Sequence, residues 1–115
     1  MIDLCSIRKV QNAIRELEDR LVAETGLSLN DAMCLCALAK GISDPGSLAK
    51  ALTLSPSRLS RILDALEGRG LISRRLSEED RRGIEVRLTK KGGAVLEKYH
   101  CAEIDVPAEL AFASK

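Results

Sequence analysis

The sequence predicts a mainly α-helical fold with one small β-hairpin, and three observations support this prediction. Apolar residues recur every three or four positions over most of residues 1–68, as in amphipathic helices. Serine or aspartate followed by proline occurs twice, and such pairs mark helix starts. After Gly70 the helical period ends, and residues 84–88 alternate apolar with charged side chains, which is typical of a strand.

The chain has 115 residues, enough for one domain with a modest core. We divide this single domain, 1–115, into an N-terminal helix (1–25), a central unit of helices and hairpin (28–88), and a short C-terminal helical segment (89–115). No apolar run approaches the roughly 20 residues that a membrane helix needs, and the start does not resemble a secretory signal. We therefore expect a cytoplasmic protein without a membrane partner.

The first helix carries an apolar stripe on an otherwise charged surface, and Gly26 supplies a stop. Two partners fit such a stripe equally well at this point: the rest of the same chain, or the same helix of a second subunit. The stripe follows alternating spacings of three and four and consists of Ile7, Val10, Ile14, Leu17 and Leu21.

Three shorter helices follow, each with its own start signal. The first begins at Ser28, and Asp31 completes a capping-box pattern. The next two begin with a capping residue and a proline at the first helical position, Asp44-Pro45 and Ser55-Pro56. The sequence therefore predicts helices that end near Gly41, Leu52 and Gly68.

Helices 45–52 and 56–68 are joined by a tight turn and predict a helix-turn-helix. Residues 71–75 and 84–88 predict two strands, and the polar segment 77–83 between them ends in glycine, as a hairpin tip does. The hairpin forms a wing, so the fold class is a winged helix-turn-helix. In this arrangement the second helix presents its N-terminal half to the DNA major groove.

The second helix and the wing carry side chains suited to double-stranded DNA. Arg58 and Arg61 lie one turn apart and away from the apolar face, where arginine can bind guanine or phosphate. Serines near a helix N-terminus favour phosphate, and wing arginines suit a narrow minor groove. The candidates are Ser55, Ser57, Arg58, Ser60 and Arg61 on the helix, and Arg74, Arg75, Arg81, Arg82 and Arg87 in the wing.

The distribution of charge supports the same surface. The net charge is only +1, but residues 55–91 hold ten Lys and Arg against six Asp and Glu. A local excess of positive charge is what phosphate binding requires. The alternative is a winged helix used as a protein–protein module, in which the same helix meets a partner protein. Such modules often lose the basic recognition face, whereas this sequence keeps its arginines and serines.

Two motifs resemble the MarR family of bacterial transcriptional regulators. The run LSPSRLSRILDALEGRGLI at 54–72 is similar to the recognition helix and strand start of that family. EDRRG at 79–83, followed by VRLT at 86–89 and a helix that contains Gly92, resembles the wing. The resemblance extends from about Leu27 to about Leu96.

The resemblance implies a homodimeric repressor or activator on a pseudo-palindromic operator. It implies that Arg82 enters the minor groove and that Asp80 helps to hold the wing arginines. Family members are often released from DNA by a small ligand or by oxidation, so a small-molecule effector of unknown identity remains open. The first and C-terminal helices of the family form the dimer interface. Because this chain stops early, we expect the stripe Ile7–Leu21 to bear more of the contact.

No sequence feature indicates an enzyme, a cofactor or a metal site, since the single His100 has no partner at a recognisable spacing. The four cysteines do not predict a disulfide scaffold, because a reducing cytoplasm disfavours one. Some relatives sense oxidants through a thiol near the first helix, and Cys5 is the matching redox candidate. Cys34 and Cys36 are predicted to be small buried apolar residues.

Overall fold

The computed structural model describes residues 3–78 and 83–98. In these ranges it contains five helices and a two-stranded antiparallel sheet, which confirms the predicted fold class. The elements are α1 (Leu4–Thr25), α2 (Leu29–Ala39), α3 (Pro45–Leu52), α4 (Pro56–Gly68), β1 (Ile72–Leu76), β2 (Ile84–Leu88) and α5 (Lys90–Lys98). Of the predicted C-terminal segment 89–115, residues 99–115 lie outside the described residues.

The helices begin where the sequence places their caps. Ser28 Oγ accepts the Asp31 N–H at 3.1 Å, and Asp31 Oδ2 accepts the Ser28 N–H at 3.0 Å, which completes the capping box. Asp44 and Ser55 cap α3 and α4 in the same way, through the amides three residues on. Each such cap stabilises a helix by about 1 kcal/mol.

The core lies where α2, α3, α4, the hairpin and α5 meet. Leucines supply most of its volume, because the three-four spacing of each helix points one row inward. On α4 the inward row is Leu59, Leu63 and Leu66, so the opposite face of this helix faces solvent. The fully buried large side chains are Leu27, Leu35, Leu48, Leu59, Leu66, Leu71, Ile72 and Val86.

The first strand, β1, is shifted by one residue from the prediction, Ile72–Leu76 instead of 71–75, whereas β2 has the predicted bounds, Ile84–Leu88. Leu71 is buried but belongs to the turn, because its N–H donates to Leu66 and not to β2. The register pairs Arg74 with Val86 and Arg75 with Glu85. Even-numbered residues therefore face the core side of the hairpin, and odd-numbered residues face outward.

The α1 stripe is only partly covered in the single chain. Ile7 is 42% exposed, Val10, Ile14 and Leu17 are half-buried, and Leu21 is buried. Leu21 does not belong to the core cluster formed by the other elements. The stripe thus offers apolar surface that the core does not use.

The prediction of a small buried apolar residue is wrong for Cys36. Cys36 is half-buried on α2 and disulfide-bonded, whereas Cys5 is exposed and free and Cys34 is buried and free. Cys36 lines an apolar groove with Leu88 and Leu96, so its side chain points toward the end of α5 and not into the core. The prediction of a small buried apolar residue holds for Cys34, where burial and the nearby Asp31 raise the thiol pKa to about 11.

No single helix in the described part of the chain is long and apolar enough to cross a membrane. Helices α1 and α2 have the required length and apolar composition only when they are taken together, and the chain bends by 77° between them. Within residues 3–78 and 83–98, no group of three or more His, Cys, Asp or Glu side chains could hold a metal ion.

Candidate nucleic-acid interface

The outer face of α4 presents the polar side chains that the sequence assigns to DNA. Ser57, Arg58, Ser60 and Arg61 are all exposed, opposite the buried leucine row. Neither arginine has an ion-pair or side-chain hydrogen-bond partner among the described residues. Both guanidinium groups therefore keep their full donor capacity for a ligand.

Ser55 has a structural task as well as a predicted binding task. Its Oγ accepts the Arg58 N–H at 3.2 Å and caps α4, while Pro56 occupies the first helical position. The hydroxyl hydrogen is not used by this cap. Ser55 can therefore donate to a phosphate at the helix N-terminus, where the remaining N–H groups favour an anion.

The turn between α3 and α4 depends on an unusual backbone conformation. Thr53 caps α3 with φ 55° and ψ 47°, the only non-glycine residue with positive φ in the described ranges. The Leu54 N–H then donates to Ala49, which closes the turn at 2.9 Å. A left-handed β-branched residue costs about 1–2 kcal/mol, so this turn is strained beside the proposed binding helix. The sequence predicts a tight turn at Thr53 and Leu54 but not this left-handed conformation, because β-branched residues rarely adopt it.

Arg74 does not join the other predicted binding residues. Its guanidinium donates to Glu67 and to Asp64, both at 2.7 Å, and its N–H donates to Glu67 at 3.2 Å. The hydrogen bond from Arg74 lowers the pKa of Glu67, and the bond to Glu67 raises the pKa of Arg74. This cluster fastens β1 to the C-terminal half of α4, so Arg74 faces the core side of the hairpin.

The outer face of the hairpin carries the remaining described arginines. Arg75 is half exposed and lies 3.8 Å from Glu85 across the strands. Arg87 is also exposed and forms an ion pair with the same carboxylate. Two arginines therefore share one acid and leave a net positive outer face. The other wing residues assigned to DNA, Asp80, Arg81 and Arg82, lie outside the described residues.

Sequence reasoning missed three residues that position α4. Asp64 and Glu67 lie one turn apart on the helix and precede a basic strand, and this spacing could have indicated their pairing with Arg74. Arg69 was not assigned a role, yet its guanidinium reaches the end of α1, 43 residues away in sequence. No local pattern predicts a contact over that separation.

Comparison with known proteins identifies the family. Residues 29–84, from α2 to the first residue of β2, match the family model described as MarR family. The chain belongs to the MarR family. The match includes α3 and α4, which form the helix-turn-helix, and most of the described wing.

Named relatives agree with this MarR-family assignment. The multiple antibiotic resistance protein MarR of Salmonella typhimurium is 30% identical over 92 residues, 76% of this chain and 64% of that protein. The transcriptional repressor MprA of Escherichia coli is 34% identical over 86 residues, 72% of this chain and 49% of that protein. The crystal structure of the transcriptional regulator BldR from Sulfolobus solfataricus is similar at a TM-score of 0.74 and 30% identity, covering 83% of this chain and 69% of that one. The chain thus spans 64% and 49% of the length of these two curated relatives.

Proposed function

We propose that this MarR-family chain is a transcriptional regulator that binds double-stranded DNA as a homodimer. In this proposal α4 enters the major groove of a pseudo-palindromic operator, and the wing, about 72–88, approaches the minor groove. The observation that carries the proposal is the exposed, unpaired state of Arg58 and Arg61 on the outer face of α4. Arginines without an internal partner retain the donors that bind guanine or phosphate.

The roles of the α4 side chains follow from their positions. Arg58 and Arg61 face base edges, where a bidentate arginine contact to guanine gives about 1–3 kcal/mol of discrimination. Ser55 and Ser57, at the helix start, bind phosphate together with free backbone N–H groups. Ser60 is also exposed on α4 and extends the contact surface beside Arg61.

The described arginines of the wing have two different roles. Arg75 and Arg87 point outward and contribute positive charge toward the DNA backbone, in addition to the predicted Arg81 and Arg82. We assign Arg74 a positioning task in place of a DNA contact, because its guanidinium is already bound by Glu67 and Asp64. This ion pair, together with the buried Ile72 and Val86, holds the wing against α4.

The dimer is the second part of the proposal. The partly exposed stripe Ile7–Leu21 on α1 supplies apolar surface for a second subunit. A two-fold dimer places one α4 in each of two successive major grooves, about 34 Å apart. An Ile14→Asp/Leu17→Asp variant should therefore sediment as a monomer, and a variant that stays dimeric would contradict the assignment of this stripe.

Fluorescence anisotropy with a pool of promoter fragments at two salt concentrations tests DNA binding. The native chain should bind tightly at low salt and lose affinity steeply as salt rises, because phosphate contacts release counterions. The Arg58→Ala/Arg61→Ala variant should lose most of this affinity, whereas the control Lys40→Ala, which removes an exposed cation at the end of α2, should not.

The alternative function, a protein–protein module, predicts a different outcome of the same experiment. An apolar interface does not release counterions, so the chain would show no salt-dependent affinity for any fragment. Native protein that fails to bind at low salt, with variants that behave identically, would refute the DNA-binding proposal.

A further inference from the structure

Arg69 connects the recognition helix to the end of α1. It follows α4 directly, and its guanidinium donates to the carbonyl oxygens of Gly26 at 3.0 Å and Thr25 at 2.8 Å. These carbonyls belong to the last turn of α1 and its cap, where helices leave acceptors without an internal donor. A cation at this end also interacts favourably with the helix dipole.

A left-handed glycine ends α1 beside the Arg69 guanidinium. Gly26 has φ +74°, the left-handed conformation that ends α1, and the Gly26 N–H donates to Val22 at 2.8 Å. A Cβ at Gly26 would lie 3.4 Å from a guanidinium nitrogen of Arg69. That distance is an ordinary van der Waals contact, so the glycine serves the left-handed turn that places the Thr25 and Gly26 carbonyls beside Arg69.

The other side of the same turn is held by the start of α5. The Lys91 ammonium donates to the Arg69 carbonyl at 3.0 Å, and the Thr89 hydroxyl donates to the Gly70 carbonyl at 2.6 Å. The turn at 69–70 is thus a junction of α1, α4 and α5. In contrast, the buried residues of α1 do not belong to the apolar core shared by the other elements.

We propose that Arg69 is a positioning residue that fixes the angle between α1 and α4 and thereby sets the operator half-site spacing that the dimer accepts. This inference rests on the proposed function, in which α1 joins the subunits and α4 reads DNA. In a two-fold dimer, any change in the angle between α1 and α4 is applied to both recognition helices. Looser attachment at Arg69 therefore widens the range of distances between the two helices.

Spacing dependence is the readout that separates positioning from a general loss of fold. Native protein, Arg69→Ala, Arg69→Lys and the Lys40→Ala control are titrated against the selected operator, against operators with one or two base pairs inserted between half-sites, and against a single half-site. Arg69→Ala should bind the single half-site within about twofold of native. Its preference for the native spacing should fall at least about fivefold, which corresponds to about 1 kcal/mol.

The conservative variant sharpens this test. A lysine at position 69 keeps the positive charge but has no planar guanidinium that can donate to two carbonyls at once. Arg69→Lys should therefore keep only part of the preference for the native half-site spacing. Equal spacing discrimination by Arg69→Ala and native protein would overturn the proposal. Equal loss of affinity on every DNA, the single half-site included, would overturn it too, because Arg69 would then be a DNA contact or a residue required for folding.

A DNA-free measurement keeps the inference separate from the proposed function. A nitroxide attached to a Cys5→Ser/Ser60→Cys chain reports the distance between the two α4 helices of a dimer by pulsed electron resonance. The distance distribution should be narrow with Arg69 present and clearly broader with Arg69→Ala. Distributions of equal width, or a chain that is monomeric, would refute the positioning role even if native protein binds DNA. Failure of native protein to bind any fragment, together with a broadened distribution, would refute only the DNA-binding proposal.

Discussion

Replacement of Gly92 by alanine should destabilise the fold, whereas the same replacement at Gly93 should stabilise it. Both glycines lie in the first turns of α5, next to each other in sequence. A Cβ at Gly92 would overlap the Leu71 carbonyl oxygen and lie 3.1 Å from the Leu71 carbonyl carbon. A Cβ at Gly93 would meet nothing within 4 Å. Comparison of the two variants therefore separates the effect of helix propensity on stability from the effect of close packing.

The magnitude follows from three opposing effects. Alanine in place of glycine in a helix interior contributes up to about 1 kcal/mol of stability at either position. At Gly92, overpacking costs about 1–3 kcal/mol. Displacement of the Leu71 carbonyl also weakens its hydrogen bond from the Thr89 N–H, 3.1 Å long, which is worth about 1 kcal/mol. The expected net change is a loss of about 2 kcal/mol for Gly92→Ala and a gain of about 0.5–1 kcal/mol for Gly93→Ala.

Thermal unfolding by circular dichroism measures both changes, at one protein concentration because the proposed dimer makes the midpoint depend on concentration. With about 5 °C of midpoint shift per kcal/mol, Gly92→Ala should melt about 10 °C below native and Gly93→Ala a few degrees above. Equal midpoints for the two variants would refute the close approach of α5 to the turn at Leu71.

Three further predictions concern other parts of the chain. The hydrogen bond from Arg74 lowers the pKa of Glu67, so ionised Glu67 stabilises the fold at pH values above its unfolded pKa. This contribution is lost as pH falls through the folded pKa. In a plot of the urea unfolding midpoint against pH, Glu67→Gln should therefore show a flatter decline on the acid side than native protein. An unchanged acid limb would rule out this role of the ion pair. Because Cys36 is disulfide-bonded, reductant should lower the melting midpoint of native protein by the equivalent of about 2–4 kcal/mol and leave Cys36→Ser unaffected; a reductant effect that persists in Cys36→Ser would contradict this. Thr53→Asn, which relieves a left-handed β-branched residue, should raise the midpoint, and a lower midpoint would show that the Thr53 side chain is needed in the turn.

The helix starts were predictable because their chemistry is local. The Ser28 and Asp31 capping box and the pairs Asp44-Pro45 and Ser55-Pro56 bind amides within three residues, so the sequence alone contains both partners of each bond. The buried row of α4 was predictable for the same reason, because its spacing follows from helix geometry. These two features locate the exposed face that carries Arg58 and Arg61.

The features that were not predicted depend on distances between elements. Arg74 was grouped with the DNA contacts because it is a basic residue in a wing, and only the packing of β1 on α4 brings it to Glu67. The strand shift by one residue arises because the Leu71 N–H donates to Leu66 in the turn after α4 and is therefore not available to the partner strand. Cys36 was expected to be buried because it lies in an apolar helix, but its side of α2 faces the groove at the end of α5.

The distribution of acids on α4 explains how one short helix can both read a ligand and hold a wing. Its first two turns carry Arg58 and Arg61 without acidic partners among the described residues, whereas its last turns carry Asp64 and Glu67, which neutralise Arg74. Positive charge therefore faces outward only at the N-terminal half, where the helix dipole also favours an anion. The C-terminal half is tied to the wing by that ion pair and to α1 by the adjacent Arg69. In the proposed function, the free end of α4 attracts a phosphate backbone, and the fixed end determines the direction in which that free end points.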